Sequence, residues 1–211
     1  MANQNSPQTH TVTRRLTPEA QETKSNIISA ARGIIEKEGH ESLQIAKIAK
    51  KTGVARITIY RYFSSREHII VEALSEWAWS TIRTFQIPAT NEQTSFGEHI
   101  TAFVRFLVQK AAENPNMIRA TIASIASNDP STRALQDSFK DSMGIILNFV
   151  GSHFREDPRV LKASSILGHL LLGNFILLCA DNTTIEASVS EITSTLKLLV
   201  GDIWGESMGQ A

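Results

Sequence analysis

With one cysteine, Cys179, among 211 residues, the chain can form neither an intrachain disulfide nor a cysteine-pair metal site. No apolar run reaches the roughly 20 residues of a membrane span. The longest, Ile166 to Ala180, is 15 residues, is interrupted by His169 and Asn174, and reads as a buried helix. The opening stretch, Met1 to Thr13, is polar and lacks the apolar core of a secretory signal, so a cytoplasmic protein is expected. The six histidines (His10, His40, His68, His99, His153 and His169) form no HExxH motif and no i, i+4 pair. GxSxG, a phosphate-binding glycine loop and a clustered carboxylate pair are also missing. Neither catalysis nor a metal or cofactor is expected.

Net charge is zero but unevenly spread. Residues 1–70 hold 11 Lys and Arg against 6 Asp and Glu, and residues 71–211 hold 10 against 15. Six basic residues and no acidic one fall between Ile45 and Arg66. A basic end on an otherwise acidic chain suggests an anionic partner.

No period-two run of β-branched residues stands out, and every long segment has helical periodicity. Thr17-Pro18-Glu19 supplies an N-cap, a first-turn proline and an early acid for a helix that Gly39 ends. Short helices are expected from about Gln44 to Thr52 and from Ala55 to Tyr62, separated at Gly53. Capping boxes at Ser64–Glu67, Ser95–Glu98 and Thr183–Glu186 open three more helices, the first reaching Phe85 and the last reaching Trp204. Asn114-Pro115 separates the Ser95 helix from one over Asn116 to Ser127, and Asp129-Pro130 and Asp157-Pro158 each begin another. The expected architecture is all-α with about nine helices: a polar arm (1–16), a three-helix head (17–66) and a larger helical domain (67–211).

The informative stretch is Ile45 to Arg66, IAKIAKKTGVARITIYRYFSSR. Ile45, Ile48 and Ala49 give one apolar face, Gly53 permits the positive φ of a tight interhelical turn, and Val54 can plug the junction. The second helix carries Arg56, Thr58, Tyr60, Arg61 and Tyr62 around a slim seam of Ile59 and Phe63. Two short helices about a glycine, the second rich in Arg, Thr and Tyr, match a DNA-reading helix-turn-helix. Arg56, at the helix start, is suited to guanine, Thr58 to a base edge, and Tyr60 and Tyr62 to phosphate oxygens. Lys47, Lys50 and Lys51 add positive charge, and Arg66, in the next helix's first turn, is expected to meet a phosphate.

From Ile28 to Ile70 the sequence resembles the N-terminal domain of TetR/AcrR-family regulators. The matching residues are Ala30-Ala31, Gly39, Ile48-Ala49, Gly53-Val54, Thr58, Ile59-Tyr60, Tyr62-Phe63, Glu67 and Ile69-Ile70. Four positions depart from the family pattern. Ala55 stands where a capping Ser is usual, Ile57 where a small residue is usual, Gln44 for Thr, and Arg66 for Lys. Gln44 and Ile57 nonetheless join the expected DNA-facing set. The resemblance implies a homodimer on a pseudo-palindromic operator, and a C-terminal pocket for a small apolar or amphipathic molecule.

In the last helix, Ile185, Val189, Ile192, Leu196, Leu199 and Ile203 form a heptad-like seam, and the preceding helix is apolar nearly all round. Together with Ile166, Leu170 and Leu177, the seam is the expected dimer interface, the alternative being a purely intrachain core. Candidate pocket residues are Trp77, Phe103, Phe106, Met143, Phe149, His169, Asn174 and Phe175. His169 and Asn174 are singled out because they interrupt an apolar helix and need polar partners. The expected function is a repressor released from DNA by a ligand. The alternative is a DNA-binding regulator controlled by a protein partner or by abundance, which a tightly filled C-terminal core would favour.

Overall fold

The computed structural model describes residues 17–86, 94–133 and 156–207. These form eight α-helices and, among the described residues, no strand: α1 (Pro18–Glu38), α2 (Ile45–Thr52), α3 (Arg56–Tyr62), α4 (Arg66–Ile82), α5 (Phe96–Glu113), α6 (Pro115–Ile125), α7 (Pro158–Cys179) and α8 (Ile185–Val200). The helix expected after Asp129-Pro130 begins as a single 3-10 turn, Pro130–Thr132, and its continuation lies outside the described residues.

Most helix starts follow the capping logic. The Ala20 N–H donates to Thr17 Oγ1 at 3.3 Å, and the Arg159 N–H to Asp157 Oδ1 at 2.8 Å. At Ser95 the box is complete, with the Glu98 N–H on the Ser95 hydroxyl and the Ser95 N–H on the Glu98 carboxylate. Two boxes are corrected. The cap of α4 is Ser65, not Ser64, and it accepts from the His68 N–H at 3.0 Å. Thr184 caps α8, but Glu186 turns away to pair with Arg105 of α5. Helix α4 stops at Ile82, and α8 ends at Val200, where a 3-10 turn, Gly201–Gly205, takes over.

The apolar faces meet in two clusters. One joins Ile27 and Ile35 of α1, Ile48 of α2, Ile59 of α3, Ile69 and Leu74 of α4, and Met117 of α6. The head is therefore packed continuously onto the rest of the chain through α4 and α6. The second joins Phe103 and Val108 of α5, Leu167 of α7, and Ile192 and Leu196 of α8. Gly97 allows the close approach of the last turn. A Cβ there would sit 2.2 Å from Trp204 Nε1, so only glycine admits the indole against α5.

The seam expected to form the dimer interface lies inside this second cluster. Val189, Ile192, Leu196 and Ile203 are buried against α5 and α7 of their own chain, and Ile185 and Leu199 pack on the same core. Because α5 covers the seam, no second copy is needed to shield it. The outward apolar surface lies elsewhere, at Ile176 and Leu177 of α7 and at Leu198 of α8, which is 86% exposed. By length and composition α7 is apolar enough to cross a membrane, yet Val160, Leu167 and Leu171 on its inner face belong to the core. At its C-terminal end Cys179 is half-buried against α6, with Sγ 3.9 Å from the Pro115 carbonyl oxygen.

Candidate DNA interface and effector cavity

The turn between α2 and α3 depends on Gly53, which adopts φ 73° and ψ 2° while its N–H closes α2 on the Ala49 carbonyl at 2.9 Å. Val54 packs half-buried on the head's core, as its plug role requires. Helix α3 is only seven residues long and has no side-chain cap at Ala55. Ile59 is its single buried position, and Phe63 just beyond it is also buried. These two anchors fix which way the helix faces. Arg56, Ile57, Tyr60 and Arg61 are turned outward, with Thr58 and Tyr62 half-buried beside them. Tyr60 is 56% exposed, so its ring is not part of the head's packing.

Gln44, Lys47, Lys50 and Lys51 are exposed on and beside α2. Lys47 donates to Glu38 at 2.7 Å, and this ammonium holds the Glu38 carboxyl below its ordinary range. Arg56 and Arg61 have no ion-pair partner among the described residues, so the positive charge of α3 is uncompensated at its outer face.

Arg66 is corrected. Its Nε donates to the Leu43 carbonyl at 2.8 Å, a second nitrogen to the His40 carbonyl, and the third to Glu67 at 2.9 Å. All three guanidinium nitrogens are engaged within the protein. Arg66 therefore braces the turn that leads into α2, with three of its five N–H groups committed inside the protein.

A cavity of about 210 Å³ opens between α4, α5, α6 and α7. Its walls include Leu74, Trp77 and Ile82 of α4, Phe103 and Leu107 of α5, Ile118 and Thr121 of α6, and Leu171 and Phe175 of α7. Among the described residues, Lys110 is the one charged side chain that lines it. Of the expected pocket residues, Trp77, Phe103 and Phe175 line it, whereas Phe106 packs against Phe85 with ring centroids 5.1 Å apart. His169 is corrected. It lies on the exposed face of α7, with Nδ1 3.2 Å from the Ser165 carbonyl oxygen. Asn174 is buried and donates to the Leu170 carbonyl at 3.0 Å, but it is not in the cavity wall, and its Oδ1 has no hydrogen-bond partner among the described residues. Met143 and Phe149 lie outside the described residues. The wall residues on α6 were missed, although Ile118, Thr121, Ile122 and Ile125 repeat at helical spacing and mark one face.

A glycine-turned pair of short helices with a cationic outer face, carried on a helical body, defines a helix-turn-helix DNA-binding regulator. Residues 27–73 match the family described as bacterial regulatory proteins, tetR family. The chain is 42% identical over 185 residues to the transcriptional repressor KstR of Mycobacterium tuberculosis, covering 86% of this chain and 82% of that protein. In fold it is similar to a TetR transcriptional regulator from Rhodococcus sp. RHA1 (TM-score 0.71, 21% identity, 88% of this chain and 98% of that one). It is also similar to FadR of Bacillus subtilis, crystallised with stearoyl-CoA (TM-score 0.60, 22% identity, 84% and 97%). The chain belongs to the TetR family of DNA-binding transcriptional regulators.

Proposed function

We propose that this regulator is a homodimeric repressor that leaves its operator when a small apolar or amphipathic molecule fills the cavity between α4 and α7. The observation that carries this reading is the position of α4. Ile69 and Leu74 of this helix belong to the core of the DNA-binding head, while Leu74, Trp77 and Ile82 wall the cavity. A ligand that pushes on the second half of α4 therefore tilts the head. An apolar cavity of about 150 Å³ already takes up benzene, so one of about 210 Å³ has room for a ligand group. The relatives point the same way: KstR is called a repressor, and FadR was solved with an acyl-CoA. A cavity, as opposed to a filled core, favours effector control over control by a protein partner.

On this reading Gln44, Lys47, Arg56, Thr58, Tyr60, Arg61 and Tyr62 face the duplex. The outer face of α7, with Ile166, Ile176 and Leu177, and Leu198 of α8 meet the second copy. A dimer sets two α3 helices about one DNA turn apart, ~34 Å, over the two halves of a palindrome. The test is fluorescence anisotropy on a duplex obtained by in vitro selection, titrated with stearoyl-CoA, other acyl-CoAs and saturated fatty acids. A coupling of about 1–3 kcal/mol would weaken binding roughly 5- to 150-fold. Filling the cavity with Thr121→Trp should abolish that response. If no compound in the panel changes the affinity, effector control is wrong.

A further inference from the structure

Ile57 is 76% exposed, at the second position of a seven-residue helix, and makes no part of either apolar cluster. It serves no evident purpose in the folded chain. A β-branched residue is a poorer helix former than alanine, and α3 has no side-chain cap to offset that. An exposed isoleucine also gains nothing from burial until a partner arrives. Its neighbours say what that partner is. Ile57 shares the outward face of α3 with Tyr60 and Arg61, one turn further on, and stands beside Arg56. No acidic residue occurs from Ile45 to Arg66 to balance the six basic ones. The occupant of this face is therefore polyanionic, and the apolar side chain at its centre needs an apolar target within that polyanion. In the major groove one base-edge group has this character, the 5-methyl of thymine.

We infer that Ile57 selects thymine in each half of the operator by packing against its 5-methyl group, so that part of the sequence preference is read by hydrophobic contact. The inference rests on the DNA-binding role of α3 and adds what this chain's own residue contributes to specificity. Arg56 and Arg61 bring the helix to the groove, and Ile57 discriminates thymine from cytosine, which presents a bare C5 edge.

The test uses the full-length chain and a duplex enriched by in vitro selection from a randomised library. Each thymine is replaced in turn by deoxyuridine, which keeps every hydrogen-bonding group and removes only the methyl. Burial of one methyl-sized group is expected to make the sensitive substitution cost the wild type about fourfold in affinity per half-site. The Ile57→Ala variant should bind the parent duplex more weakly and show no penalty for that same uridine. Its thermal midpoint should be no lower than that of the wild type, since the replaced side chain is exposed and alanine is the better helix former. A uridine series that is flat in the wild type, or equally costly in Ile57→Ala, overturns the inference while leaving DNA binding intact. A flat series together with an altered oligomeric state of free Ile57→Ala would assign the side chain to a protein contact and also overturn it. Failure of the wild type to enrich any duplex would remove the DNA-binding reading itself, and this inference with it.

Discussion

Replacing Arg66 by alanine separates bracing from phosphate contact. The guanidinium spans three acceptors: the carbonyls of His40 and Leu43, in the segment that feeds α2, and the Glu67 carboxylate. A hydrogen bond to a charged group is worth about 1.5–3 kcal/mol when well shielded. The Arg66 side chain is 33% exposed, so water competes at each bond, and a net loss of about 2 kcal/mol is expected for all three. Arg66→Lys, whose ammonium cannot span both carbonyls and the carboxylate, should fall between wild type and alanine. Urea denaturation measures the stability term. DNA affinity should fall too, because α2 loses its brace, but the reduction should be similar at all salt concentrations. A phosphate ligand behaves differently: its removal lowers the slope of log K against log salt by about 0.9 for each phosphate no longer neutralised. If Arg66→Ala keeps its stability within about 0.5 kcal/mol and flattens the salt slope, the bracing role is refuted and a phosphate role restored.

The other expectations are as direct. Charging the outer face of α7 with Leu177→Glu should yield a folded monomer by sedimentation. Ile192→Ala, in the buried seam, should cost about 2–5 kcal/mol in urea without first dissociating a dimer. Gly97→Ala should destabilise by about 1–3 kcal/mol through its clash with Trp204. In a Trp204→Ala background the same change should be neutral or stabilising, as helix propensity alone then decides. Arg159 holds the carboxyls of Asp157 and Asp202, and Arg105 that of Glu186, below their ordinary range. A depressed carboxyl stabilises the fold above its unfolded pKa and loses that effect as pH falls. The thermal midpoint should therefore be level from neutrality to about pH 5 and decline below about pH 4. A decline that began near pH 7 would point to histidine instead.

Local chemistry was legible wherever one residue type has one strong reason to be where it is. Gly53, Thr17, Asp157 and the Ser95–Glu98 pair each announced a turn or a cap, and each does that job. The outward face of α3 followed from Ile59 and Phe63, because two buried anchors on a short helix leave little choice of rotation. What a pattern cannot carry is the identity of the covering surface. The spacing from Ile185 to Ile203 shows that one face of α8 is buried, and it would look the same against a second copy or against α5. Likewise, an interruption of an apolar run marks polarity but not direction: His169 faces out while Asn174, five residues on, faces in. Arg66 misled for a related reason. A helix N-terminus suits an anion, but the carbonyls that claim its side chain lie more than 20 residues away in sequence.

The solitary thiol has a practical consequence. Because Cys179 is half-buried where α7 meets Pro115, a single fluorophore or nitroxide can be attached at that junction without altering any other residue. Burial pushes its pKa up, so mildly alkaline buffer would speed the coupling by raising the thiolate fraction. In the proposed homodimer, two identical probes, one on each copy, would turn a pulsed-resonance distance into a ruler for subunit geometry, before and after addition of a candidate ligand.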